Sequence, residues 1–220
     1  MGILTDIDVA NAALAAIGED PVQDLDDDTF GAAQVGLAYQ ETVEFNLGLE
    51  PFSFGREIRQ LSQVTGATPS SGYLYIYDLP SDRIGPPVYV TDDVTDPDRR
   101  FNRYALISGQ VHADPTALFA MIKFRPGPER WSATFKSATI TALASKFALS
   151  FASDKETSDI LHRRAYGSPQ ENFRGGQMRA AISEDALATP PRKPDWNNNP
   201  LERAWRSGSS AGIGSYPGDY

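Results

Sequence analysis

The residues in this chain best suited to chemistry are its acids. Residues 19–28 read EDPVQDLDDD, and a second cluster holds Asp92, Asp93, Asp96 and Asp98. A calcium loop of the helix–loop–helix kind needs acids at alternate positions, a glycine at the sixth and a glutamate at the twelfth. Counted from Asp24, those last two positions are Thr29 and Val35; counted from Asp26, Gly31 fits but Leu37 takes the twelfth place. Both registers fail. Acids before an apolar helical run are favoured there by capping and by the helix dipole. The first run therefore reads as a helix start near Asp28 or Thr29. The alternatives, an adventitious cation or catalytic carboxylates, have only the charge behind them. The second cluster lacks a turn glycine and a distal glutamate and reads as a solvated loop.

Other chemistries fare no better. Gly208, Ser209, Ser210, Ala211 and Gly212 match the nucleophile-elbow spacing, but that motif needs a strand before it and a histidine after it. Neither is present, so the match reads as chance. No phosphate-binding glycine loop occurs, and the chain has no cysteine. The two histidines are far apart: His112 is expected near a hairpin turn at the surface, and His162, beside Arg163 and Arg164, on an interfacial or solvated helix face. The sequence thus points to no catalytic residue, cofactor or metal site, and to a protein that is not an enzyme.

The 220 residues carry a net charge of −9, which disfavours gripping nucleic acid through its phosphates. No apolar run approaches ~18 residues, and the N-terminal segment has no basic, apolar leader pattern, so a soluble protein without a membrane partner is expected.

The elements that position these residues follow from periodicity. Thr5 caps a first helix, with Asp8 closing a capping box and Leu4 and Val9 set for a hydrophobic staple. Ile7, Ala10, Leu14 and Ile17 form its apolar face, and Gly18 suits the left-handed end. A second helix runs to about Leu47 with two apolar stripes: Ala32, Val35, Tyr39, Val43 and Leu47 on one side, Phe30, Ala33, Leu37 and Phe45 on the other. Phe52 and Phe54 follow as anchors. Between 57 and 127 the period changes to two. Tyr73, Tyr75 and Tyr77 alternate with Leu74 and Ile76, and residues 88–90, 103–108 and 118–124 read as further strands, with turns at Gly109 and at Asp114-Pro115. After Pro128 the helical period returns. Trp131, Phe135, Ala138, Ala142, Ser145 and Leu149 share a face. Asp154 caps a fourth helix carrying Ile160, Leu161 and Tyr166, interrupted at Gly167-Ser168-Pro169 and resuming through Phe173, Met178 and Ile182 to about Ala188.

The expected class is α+β: a helical bundle (1–56 and 128–188), an inserted small antiparallel β domain (57–127) and an extended C-terminal arm (189–220). Helices apolar on two sides want neighbours on both, either within one subunit or across subunits, and Val35, Tyr39, Val43 and Phe135 are expected at a subunit interface. The arm is rich in Pro, Gly, Ser and Asn and cannot form its own core. It nevertheless holds Trp196, Trp205, Tyr216 and Tyr220 with Arg192, Lys193, Arg203 and Arg206, a set suited to anchoring on another protein.

Part of this pattern resembles a known family. Asn11, Ala13, Leu14, Ile17 and Gly18, then Asp24-Leu25-Asp26, Ala32, Ala33 and Tyr39, then Glu50-Pro51-Phe52-Ser53-Phe54, and finally Tyr77-Asp78-Leu79-Pro80-Ser81-Asp82 are similar to motifs of the tail tubular protein A family of tailed bacteriophages. The similarity is clearest over residues 5–85 and continues over 128–188 in pattern. Phe52 stands where the family has Trp and Ser53 where it has Asn, and the arm is longer. The resemblance implies a structural virion protein, a head-to-tail adaptor made in the host cytoplasm and placed in the neck between capsid and tail. It implies a ring of about twelve copies, a dodecamer, that docks on the portal protein and receives a nozzle, stopper or other next tail protein. Genomic DNA would pass through its lumen unbound, and the acidic total suits a channel that repels phosphates. The arm residues Arg192, Lys193, Trp196, Arg203, Trp205, Arg206 and Tyr216 are then the portal contact. A tail-associated glycan hydrolase, which needs two carboxylates at a fixed separation, and a free-standing binding module are the alternatives.

Overall fold

A computed structural model describes residues 5–26, 30–66, 69–96 and 100–188 of the chain. The arm expected from 189 onward, with all its named aromatic and basic residues, lies outside the described residues. So do Leu4, Asp27, Asp28, Thr29 and Asp98. The described elements belong to one compact unit ending at Ala188.

Helix α1 (Asp6–Ala15) begins where the capping signal places it. The Asp8 carboxylate accepts the Thr5 backbone N–H at 2.8 Å and its hydroxyl at 2.6 Å, and Gly18 beyond the helix has φ +83°. Its buried face is Val9, Ala10, Ala13 and Leu14, rotated from the expected one, with Ile7 and Ile17 only half-buried. Helix α2 (Phe30–Leu49) buries the first stripe completely. Helix α3 (Ala133–Ser150), capped by Ser132, touches all four other helices. It therefore buries residues around its whole circumference, many of them alanines that let neighbours approach closely. Leu149, expected in its core face, is exposed near its end. Helix α4 (Lys155–Tyr166) starts at Asp154, whose carboxylate accepts the Thr157 N–H at 3.0 Å. Ile160 on it is exposed. Helix α5 (Gly176–Ala188) starts three residues later than expected, because Asn172 and Phe173 take left-handed backbone angles that no helix tolerates.

The strands fall between these helices: β1 (Arg56–Gln60), β2 (Ser62–Gln63), β3 (Tyr75–Asp78), β4 (Tyr89–Thr91), β5 (Tyr104–Ile107), β6 (Gln110–Ala113) and β7 (Phe119–Lys123). They form two antiparallel sheets, ordered β1-β7-β4 and β2-β3-β6-β5. Ser108 (φ 51°) and Gly109 (φ 78°) make the two-residue turn that joins β5 to β6, with Ile107 opposite Gln110. The sheets share a core of their own around Tyr77, Val90, Val111, Leu118 and Ile122. His112 sits on β6, which the sequence reading did not identify as a strand. It is buried and its Nδ1 lies 2.7 Å from Ser71 Oγ, a satisfied interior histidine and not a surface one.

The helical core corrects the expected interface. Val35, Tyr39, Val43 and Phe135 are at most 1% exposed in the single chain, packed with Val9, Leu14, Phe52 and Phe147. The neighbours their stripe wanted are α1, α3 and the Phe52–Phe54 turn, so these four cannot also face another subunit. Phe52 and Phe54 are the anchors they were expected to be: their rings stack at 5.2 Å and both meet Phe135 edge-on, Phe52 at 4.8 Å. The Ser53 N–H and hydroxyl bind Asp185 of α5 at 2.8 and 2.6 Å.

Inside this apolar core lies one polar junction. Asn46 of α2, fully buried, donates to Thr139 Oγ1 of α3 at 3.1 Å and accepts from Tyr166 Oη of α4 at 2.6 Å. Replacing Asn46 by Ala orphans two buried hydroxyls and is expected to cost about 2–4 kcal/mol. Thermal melting should read a drop of about 5–15 °C. The triple replacement Asn46→Leu, Thr139→Val, Tyr166→Phe, which removes all the partners together, should recover most of that loss.

Candidate functional site

The described acids do not converge. Asn11 clamps the loop that carries the first run, donating to Val22 O at 3.0 Å and accepting the Val22 N–H at 2.9 Å. Leu25 turns inward against the helical core, and its carbonyl comes so close to Gly36 that a Cβ there would lie 2.5 Å from it. Glu19, Asp20, Asp24 and Asp26 are left pointing to solvent, with Asp24 Oδ1 accepting the Asp26 N–H at 3.1 Å. In the second cluster Asp93 folds a local turn with Thr91 and Thr95. No group of three or more His, Asp or Glu among the described residues is placed to hold a metal ion. No described helix is long and apolar enough to cross a membrane.

What does converge is aromatic. Phe45, from the second stripe of α2, meets Tyr166 of α4 and Phe173 of the following loop at ring-centre distances of 5.9 and 5.3 Å; Tyr166 and Phe173 lie 5.6 Å apart. His162, one turn before Tyr166, stands 5.2 Å from its ring and 6.0 Å from Phe173. The four phenyl, phenol and imidazole rings make a cluster in which edges meet faces, the favoured geometry for aromatic rings. Phe45 and Phe173 are 42% and 46% exposed. The cluster borders two adjoining hollows of about 560 and 200 Å³ that share His162, Tyr166 and Phe173. The smaller one reaches down to Thr42 and Ser145, both buried, between α2 and α3.

The loop that holds Phe173 is built for one shape. Gly167 ends α4 at φ +78°, its N–H on Arg163 O at 2.7 Å. The Glu171 carboxylate accepts the Ser168 N–H at 2.8 Å and the Ser168 hydroxyl at 3.0 Å, closing a short 3₁₀ turn (Pro169–Glu171). The chain then folds back so tightly that a Cβ on Gly176 would lie 2.4 Å from Arg164 O. Between these fixed ends Asn172 and Phe173 adopt φ 50° and 62°. Asparagine tolerates that region; a bulky phenylalanine does so only under constraint, and such outliers cluster at functional sites.

Burial pushes the Tyr166 phenol well above its ordinary value, so it stays a proton donor to Asn46 at any working pH. The two hydrogen bonds from Ser168, backbone first, hold the Glu171 carboxyl below the ordinary 4.5.

Sequence reasoning placed Phe45 on the second apolar stripe of α2 and put His162 and Tyr166 on helix without relating them, and it took Phe173 as helical. The glycines on either side of it, at 167 and at 175–176, were the available signal for a folded-back loop. Of the other expected site residues, the four interface positions are in the core and the arm positions are outside the described residues. Searches against family models and against curated proteins find no match to this chain.

Because the folded-state value of Glu171 is lowered, its cap is intact above pH 4.5 and is lost as the pH falls through that folded value. The Ser168 amide proton resonance should therefore titrate with a midpoint below 4.5, and Glu171→Gln should abolish that titration.

Proposed function

We propose that this chain is a head-to-tail adaptor of a tailed bacteriophage, a structural protein that assembles as a ring of about twelve copies on the portal. The observation that carries the reading is the second face of α2. With its first stripe fully used inside the chain, Leu37 stays 72% exposed and Phe45 42% exposed. Scattered exposed apolar residues are ordinary, but two on a helix whose opposite side is sealed, one of them beside an open aromatic hollow, mark a surface that meets another protein. The subunit contact moves accordingly from Val35, Tyr39, Val43 and Phe135 to the outward side of the same helix around Leu37, leaving Phe45 to the hollow. The motif resemblance over residues 5–85 supplies the adaptor role. The net charge of −9 suits a lumen through which DNA slides.

Under this reading, portal docking belongs to the arm from 189 onward, and the ring's other end receives the next tail protein. Around 30 extended residues reach up to ~100 Å, enough to bridge to a neighbouring protein. Two tryptophans at up to about 4–6 kcal/mol each, before ordering costs, supply the anchor.

Mixing the purified chain with portal rings and measuring mass tests this directly. The expected product is a closed ring of copies on each portal. Leu37→Glu should leave the melting temperature within about 1–2 °C, since surface substitutions cost within about 0.5 kcal/mol, yet reduce ring formation. Deleting residues 190–220 should leave folding intact and abolish portal association. Isolated copies on the portal, or glycan turnover that one Asp or Glu substitution removes, would overturn the adaptor reading.

A further inference from the structure

The aromatic hollow contains a group the fold does not use. Thr42 of α2 is 1% exposed, and its Oγ1 is buried with no hydrogen-bond partner. An unpartnered buried hydroxyl is a standing cost that an isosteric valine would remove. It lines the 200 Å³ hollow together with Phe45, Tyr166 and Phe173. Two independent features thus meet in one place: a hydroxyl lacking a partner, and rings of which Phe45 and Phe173 are nearly half exposed.

We propose that the hollow between Thr42, Phe45, Tyr166 and Phe173 is a docking pocket for one tryptophan side chain presented by an exposed segment of a partner protein. The chemistry selects this occupant. The ring edges and faces extend an existing edge-to-face arrangement, which another aromatic ring continues and an aliphatic chain does not. The Thr42 hydroxyl can donate or accept, and an indole N–H, a donor only, gives it the bond it lacks. The charged groups at its rim balance: Lys146 bonds Glu41 at 2.9 Å. A neutral anchor fits that balance better than a charged one. The moving wall is Phe45 or Phe173, whose rings must rotate to open the path to Thr42; such rotamer changes are common on binding.

A second copy's folded unit cannot supply the anchor. Among the described residues the one tryptophan is Trp131, which is buried and donates its indole N–H to Pro126 O at 3.0 Å. Trp196 and Trp205 are assigned above to the portal. The partner meant here is therefore a different protein, a choice that rests on the portal role proposed for the arm.

The test uses the full chain and small probes. In ligand-observed NMR titrations N-acetyl-tryptophanamide should bind about tenfold more tightly than N-acetyl-phenylalaninamide, the factor that one satisfied hydrogen bond supplies. Thr42→Val should cut that preference to about twofold or less while keeping or raising the melting temperature. Thr42→Ser should retain the preference, and Phe173→Ala should weaken both probes. Equal affinity of the two probes for the unmodified chain would overturn the proposal, as would a preference that survives Thr42→Val. If a peptide of residues 190–207 displaces the tryptophan probe at lower concentration than the probe itself binds, the anchor belongs to this chain and the assignment to a partner fails. None of these results bears on ring formation.

Discussion

The helical unit is organised by the Asn46 side chain. A buried primary amide has donors and an acceptor to satisfy, and in this core Thr139 Oγ1 and Tyr166 Oη meet them from two other helices. An apolar residue at 46 would tolerate a slide of α2 along α3 by a fraction of a turn. The amide does not, because any slide strands a buried hydroxyl. Register is therefore fixed among α2, α3 and α4 together, and with it the position of the Tyr166 ring. That ring is the floor on which Phe45, His162 and Phe173 assemble. The cleft is where it is because one amide cannot be satisfied otherwise.

The middle and the C-terminal end of α2 then tie the helices to the sheets. At its middle Tyr39 Oη donates to Asp6 Oδ1 at 2.9 Å, Arg125 binds Asp6 Oδ2 at 2.7 Å, and the guanidinium lies over the Tyr39 ring at 5.3 Å. Burial, followed by the Asp6 contact, pushes the Tyr39 phenol far above its usual value, so this donor never ionises. At the C-terminal end Lys123 from β7 donates to Gly48 O at 2.7 Å and Arg174 donates to Leu49 O. Two cations thus satisfy carbonyls that the helix cannot pair, where its dipole favours positive charge. Lys123 ends β7 and Arg125 lies just beyond it, so α2 is fastened at its middle and at its C-terminal end by the segment that leaves the β part. Desolvation lowers the Lys123 pKa, with the nearby Glu50 carboxylate working against that loss.

Much of this was readable from the sequence, for reasons that differ by element. The starts of α1 and α4 were legible because capping is local: Thr5 with Asp8, and Asp154 with Thr157, sit three residues apart. The buried stripe of α2 was legible because period 3.6 needs only one side of the helix to be apolar, and all five of its residues are buried. The core of the sheets was partly hidden. Strand β6 carries Gln110 and His112 among its four residues and gives no clean alternation, yet it is an inner strand whose neighbours β3 and β5 supply the pattern it lacks. The purpose of the stripe was the larger error. A sequence shows that Val35, Tyr39, Val43 and Phe135 must be covered, but not whether by another helix of the same chain or by another chain, since both present the same apolar surface. The Asn46 junction was out of reach because it depends on residues brought together from three helices, whereas the Phe173 loop left a local signal in the glycines around it that the helical period outweighed.

The departures from local consistency are informative by where they fall. A sequence that specifies one fold satisfies its buried polar groups and keeps bulky residues out of left-handed backbone, and exceptions collect where function requires them. Asn46, Thr139, Tyr39 and His112 all show the rule obeyed. Thr42 Oγ1 and the Phe173 backbone break it in opposite ways, one by a missing bond and one by strain, and both border the same small hollow. Each could be relieved by a single substitution: valine at 42 would bury no hydroxyl, and glycine at 173 would take φ 62° without backbone strain. Neither relief would disturb the Asn46 register or the fastening of α2. What the two unrelieved features do share is the space between them, and a ligand filling that space would meet the free hydroxyl and the face of the strained ring at once.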